Sequence, residues 1–284
     1  MKLSKRTNQK GFTLVELAIV LVIIGLIVGG VLAGQDLIKA ATVKAAVTQM
    51  NQLDTAANTF RNKYAGLPGD LSSAASFAEL APYSTGQGTT KGLGDNNGLI
   101  ESSGTTGLIG YQGEPALFET HLAKAGLIAN PITATTTYVA GTAAITISDT
   151  TMIPSKMGKG TRLYAVAYNG VNYYTLAGIS GTSVVTTAAW SAAATNTLSP
   201  TEAFQLDTKL DDGQPTSGSV QPIKVLAAAA SIQAIGDGAG APTDAGAAAS
   251  AAGVCWNTTT NKYATDVTAA TNAPACQLRV RASF

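Results

Sequence analysis

From Phe12 to Gly34 the chain reads FTLVELAIVLVIIGLIVGGVLAG. That is about 23 residues with a single charge, Glu16, enough to cross about 30 Å of hydrocarbon as a helix. No other feature restricts the fold so strongly. Lys2, Lys5, Arg6 and Lys10 precede the run with no acid among them. By the positive-inside rule they keep the N-terminus cytoplasmic and place the bulk of the chain outside. An ordinary secretory signal fits poorly, because the run is long for a signal core and no A-x-A-like site follows it. An uncleaved signal anchor fits the hydropathy but gives Glu16 no role.

Glu16 needs a role. A carboxylate within such a run costs about 2.5–3.5 kcal/mol on insertion scales and marks a functional position. Cleavage between Gly11 and Phe12 would supply one. It creates an α-amine four residues upstream, one helical turn away. The ammonium and the carboxylate can then neutralise each other, within one chain or between neighbours.

The stretch KGFTLVELAIVLVIIGLIVGG, Lys10 to Gly30, closely resembles the prepilin signature of type IV pilins and type II secretion pseudopilins. Gly stands at the cut, Phe after it, then Thr-Leu, and Glu before an apolar helix. The resemblance implies that prepilin peptidase, a membrane aspartyl peptidase, cuts Gly11–Phe12 and methylates the new amine of Phe12. It implies that Glu16 pairs with the Phe12 amine of a neighbouring subunit as the helix leaves the bilayer for a filament core. The partners implied are other pilin or pseudopilin subunits, the peptidase, an inner-membrane assembly platform and the lipid bilayer. The implied location is the bacterial inner membrane with the head in the periplasm, then a periplasmic or cell-surface filament. Many type IV pilins interrupt this helix with proline. Here none occurs before Pro68, which leans toward pseudopilin-like subunits, and a chain of this size resembles minor filament components.

The helical pattern outlasts the apolar run. Val43, Val47, Met50, Leu53, Ala57, Phe60 and Tyr64 recur at spacings of three and four, one face of an amphipathic helix. Lys39, Gln49, Gln52, Thr59, Arg61 and Lys63 lie mostly off it, and Gly66, Pro68 and Gly69 end it. A coiled-coil dimer would need e/g charges that are missing. Beyond it, Glu114-Pro115 to Gly126 reads as a short helix with Leu117, His121, Leu122 and Ala125 on one face. Ser199-Pro200-Thr201-Glu202 reads as a capping-box start for another, running to about Asp212-Gly213. Leu163–Tyr168 and Val171–Leu176 flank Asn169-Gly170, a type I′ hairpin turn. Leu278, Val280, Ala282 and Phe284 alternate with polar residues as a half-buried strand. Ala227–Gly253, nearly all Ala, Gly and Ser, reads as a flexible excursion.

The fold class is therefore α+β: a long N-terminal spine helix on a C-terminal antiparallel sheet, pilin-like. The expected division is a cleaved leader at 1–11, a transmembrane and spine helix at 12–65, and a head at 66–284. Charged residues are only 12%, the profile of a secreted or surface protein. The part after Gly11 carries a slight acidic excess and so no general footprint for nucleic acid. Cys255 and Cys276 close a loop of roughly twenty residues, and export to an oxidising compartment favours a disulfide worth about 3 kcal/mol.

Catalytic chemistry is hard to place. The one histidine, His121, lies on the apolar side of its helix, and no G-x-S-x-G, C-x-x-C, H-E-x-x-H or Walker A motif occurs. The expectation is no enzyme and no cofactor. Calcium is the one metal considered. Gly94-Asp95-Asn96-Asn97-Gly98 resembles the middle of an EF-hand loop, but Leu93 and Gly104 stand where ligands belong. Asp207, Asp211 and Asp212 cluster at a helix end and form the other candidate. A structural subunit is the leading function, and a membrane-anchored adhesin with a pilin-like signal is the alternative.

Overall fold

A computed structural model describes residues 13–71, 94, 96–101, 114–130, 132, 143–168, 170–179, 181–186, 189–190, 194–195, 197–223, 246–247, 254–266 and 274–284. Helix α1 spans Leu14–Tyr64. Thr13 opens it with the reciprocal bonds of a capping box. The Thr13 N–H donates to Glu16 Oε2 at 2.7 Å, and the Glu16 N–H donates to Thr13 Oγ1 at 3.3 Å. No proline falls within it, so its ladder has no missing donor. Its most apolar 18 residues have mean hydropathy 2.9 and none is buried. That makes it one helix long and apolar enough to cross a membrane.

The chain forms two compact units, Met1–Ala41 and Thr42–Phe284, and α1 contributes to both. In the first, the large apolar side chains from Leu14 to Ile38 are exposed. In the second, Val43, Ala46, Met50, Leu53, Ala57, Phe60 and Tyr64 are buried, the three-and-four spacing of one helical face. Gln49 is buried as well, against expectation. Its amide donates to Pro154 O and accepts from the Lys156 N–H, both at 2.9 Å, so burial leaves neither end unsatisfied.

Two shorter helices follow, α2 (Glu114–Lys124) and α3 (Pro200–Leu210). Ser199 and Glu202 form the expected capping box of α3, with Pro200 in its first turn. In chain order the strands are β1 (Ala143–Ile147), β2 (Thr161–Tyr168), β3 (Val171–Ile179), β4 (Gly181–Thr186), β5 (Ala189–Trp190) and β6 (Ala194–Thr195). Then come β7 (Val220–Ile223), β8 (Gly246–Ala247), β9 (Trp256–Asn257), β10 (Lys262–Tyr263) and β11 (Gln277–Arg281). The main sheet runs β2-β3-β11-β7, all antiparallel, with β6 also on β3. The smaller sheets are β1-β4-β5 and β10-β9-β8. Tyr168 pairs with Val171 and Gly170 has φ +74°, the two-residue turn that an Asn-Gly pair permits.

The core of the second unit lies between α1 and the main sheet, where Phe60 and α2's Phe118 and Leu122 join Leu163, Tyr174, Leu176, Leu278 and Val280. The sequence pattern for α2 passed over Phe118, which is buried beside Leu122. The pattern for β11 also needs correction. Gln277 and Arg279 are buried along with Leu278 and Val280, and Arg279 bonds Gln221 of β7 and lies over the Tyr173 ring of β3. The Ala227–Gly253 segment lies outside the described residues except for Gly246–Ala247, which pair in parallel with β9. Cys255 and Cys276 are joined, their Cα atoms 5.0 Å apart, linking the segment before β9 to the start of β11.

Candidate functional site

The cap at Thr13 gives Glu16 a described role. Its Oε2 accepts from the Thr13 N–H at 2.7 Å and from the Thr13 hydroxyl at 2.9 Å. Those are donors a helix start leaves unpaired, and a carboxylate there also complements the helix dipole. The next acidic residue along α1 is Asp36, 3.8 Å from Lys39. Between Glu16 and Asp36 every side chain is uncharged. The first unit is therefore an exposed apolar helix with one carboxylate held at its head. Gly11 and Phe12 lie outside the described residues.

In the second unit His121 is 1% exposed. Its Nδ1 accepts from the Gly69 N–H at 2.9 Å, and its ring stacks on Phe60 at 5.8 Å between centroids. Burial, with Lys124 nearby, lowers its pKa from the usual 6.5 to about 4. It is a neutral acceptor that ties the turn after α1 to α2.

Asp207, Asp211 and Asp212 do converge, with one carboxylate oxygen of each within 4.8 Å of the others. Each oxygen set already serves the chain. Asp207 accepts from the Tyr263 hydroxyl at 2.8 Å and from the Gly213 N–H at 3.2 Å. Asp211 accepts from the Ser219 N–H and hydroxyl, and Asp212 from the Gln214 N–H and the Ser217 hydroxyl. Burial raises the Asp207 pKa from 3.8 to about 6, against the pull of Tyr263 and Gly213 and helped by Asp212 and Asp211. The arrangement fastens the turn after α3.

Against this geometry stands one comparison. Residues 6–32 match the family model of the prokaryotic N-terminal methylation motif. The chain carries the signature of type IV pilins and pseudopilins. No curated protein and no solved structure matches it. The pilin-type signature covers the cap and most of the apolar half of α1, and the layout behind it is the α+β layout of a pilin. Such a signature implies, in general, assembly with other pilin subunits and processing by prepilin peptidase, and it agrees with anchoring in an inner membrane.

Sequence reading missed a second set of buried carboxylates. Asp70 is 1% exposed and accepts from the Asn96 and Gly98 N–H groups, both at 2.7 Å. Glu114 is fully buried and accepts from the Gly94 and Glu101 N–H groups, both at 2.7 Å. Glu119 accepts from the Ile153 N–H at 2.9 Å. The loop that resembled a calcium site thus turns N–H donors, not oxygens, toward these acids. The available signal was the pairing of LPGD with GDNNG, acids beside glycines whose backbone can approach closely. A cleft of about 610 Å³ beside α1 is lined by Thr48, Gln52, Thr55, Leu127, Ile128 and Lys156, among others. Thr48 and Thr55 donate their hydroxyls to helix carbonyls, which leaves methyl groups at its wall.

Proposed function

We propose that this chain is a structural subunit, a minor pilin or pseudopilin, of a type IV pilus or a type II secretion pseudopilus. In this reading it enters the inner membrane with its head in the periplasm. Prepilin peptidase removes residues 1–11, and Phe12 becomes the N-methylated end. The subunit then assembles through its N-terminal helix, with Glu16 facing the Phe12 amine of a neighbour. One observation carries the reading: the methylation motif lies on a helix whose first half is apolar and exposed, with Glu16 as its only charge before Asp36. That surface needs lipid or other helices to cover it. The structural character of chains bearing this signature supports a non-enzymatic role.

Intact-mass analysis of the protein from cells with an active prepilin peptidase tests it. The expected mass is that of a chain starting at methylated Phe12, and retention of Met1 would overturn the reading. Glu16→Ala should leave cleavage largely intact and deplete the protein from sheared filaments. An unprocessed protein found only with membranes would favour a membrane-anchored adhesin instead.

A further inference from the structure

We propose that Asn97 is a site of fold-assisted deamidation. When glycine follows asparagine, the peptide nitrogen of the glycine can attack the side-chain carbonyl carbon, and every atom that changes in that step here has a partner. The nucleophile is Gly98 N, whose N–H donates to Asp70 Oδ2 at 2.7 Å. Asp70 is buried, and its other oxygen is held by the Asn96 N–H at 2.7 Å, so the carboxylate is positioned as a base. The oxygen that gains charge is Asn97 Oδ1, which accepts from the Leu99 N–H at 2.7 Å, the arrangement that stabilises an oxyanion. The departing nitrogen, Nδ2, donates to Glu101 Oε2 at 3.0 Å. Gly98 has φ +85° and open space where a Cβ would stand, and Asn97 itself is exposed to water.

The step balances. The bond from Gly98 N to Asn97 Cγ forms as Asp70 takes the proton from that nitrogen. The oxyanion on Oδ1 collapses, the Cγ–Nδ2 bond breaks, and Nδ2 leaves as ammonia with one returned proton carried by solvent. Water then opens the cyclic imide at either carbonyl, giving aspartate or isoaspartate. The net change is asparagine plus water to a carboxylic acid plus ammonia, with no oxidant or reductant. The product places a new negative charge beside Asp70 and Glu101, in the loop that Asn172 also holds through Gly98 O and the Ile100 N–H.

Peptide-mapped mass spectrometry of the full chain in mild detergent, incubated at several pH values, tests this against a synthetic peptide spanning residues 95–101. The expected result is faster conversion of Asn97 in the folded chain than in the peptide. The folded rate should change little with pH, because the base belongs to the protein, while the peptide rate follows hydroxide. Asp70→Asn should slow conversion by about tenfold or more, with circular dichroism confirming the fold. Conversion at or below the peptide rate, or a rate indifferent to Asp70→Asn, overturns the proposal. Should that variant not fold, the wild-type pH profile decides, and a rate proportional to hydroxide overturns it.

Discussion

Asp207 and His121 are both buried, and both are pushed by burial toward their uncharged forms, yet they answer acid in opposite directions. Asp207 titrates near 6 in the fold against an ordinary 3.8. Between those values the folded state holds the extra proton, so this group's contribution is present below about pH 4 and lost as pH rises through 6. His121 titrates near 4 against an ordinary 6.5. There the unfolded state holds the extra proton, so its contribution is full above 6.5 and lost as pH falls toward 4. The two slopes oppose each other over nearly the same window. The two groups should therefore partly offset each other in wild type between pH 4 and 6.5. Asp207→Asn should make stability fall with acid, and His121→Gln should make it rise. Near-ultraviolet circular dichroism melts of the full chain in detergent would show this, and parallel profiles for all three proteins would refute it.

At the scale of the element, the end of α1 departs from its sequence signal in an instructive way. The helix does end before Gly66, but the left-handed conformation falls on Ala65, with φ +59° and its N–H bonded to Arg61 O at 2.8 Å. Gly66 instead faces the ends of two side chains. A Cβ there would stand 2.6 Å from Asn96 Oδ1 and 2.6 Å from Leu71 Cδ2. Ala65→Gly should accordingly stabilise the chain by up to about 1 kcal/mol, whereas Gly66→Ala should change little because both side-chain ends can shift, both read from denaturant midpoints. Local signals carried most of the architecture: the stripe from Val43 to Tyr64, the capping box at Ser199, the Asn169-Gly170 turn. They failed where a neighbour distant in sequence decides the environment. Gln49 is buried because the 154–156 segment meets its amide, and Arg279 because Gln221 and the Tyr173 ring flank it. Of the site, Glu16 was legible from its isolation. Its cap by Thr13 needed coordinates, and the buried acids Asp70 and Glu114 gave only the weak signal of nearby glycines.

For the second unit as a whole, the Cys255–Cys276 link closes 21 residues of sequence onto the start of β11. Reducing it, or changing either cysteine to serine, should lower stability by about 3 kcal/mol. A matched loss in the thermal midpoint under reductant would confirm this, and an unchanged midpoint would contradict it. Asp54 of α1 holds β3 and the residues just after β11. It accepts from the Tyr174 hydroxyl at 3.0 Å and from the Ser283 hydroxyl at 2.6 Å. Phe284 packs beside it on Phe118 and Tyr174, at 5.3 and 5.7 Å between centroids.

The central place of β11 has a consequence in time. A ribosome makes α1 well before β11, and Asp54 and Ser283 lie 229 positions apart. Until the final strand arrives, β3 and β7 have no common partner and α1's apolar face lacks Leu278 and Val280. Closing a contact over so long a loop is slow. The unit thus cannot complete itself before that strand is made, and its half-made core stays open until then.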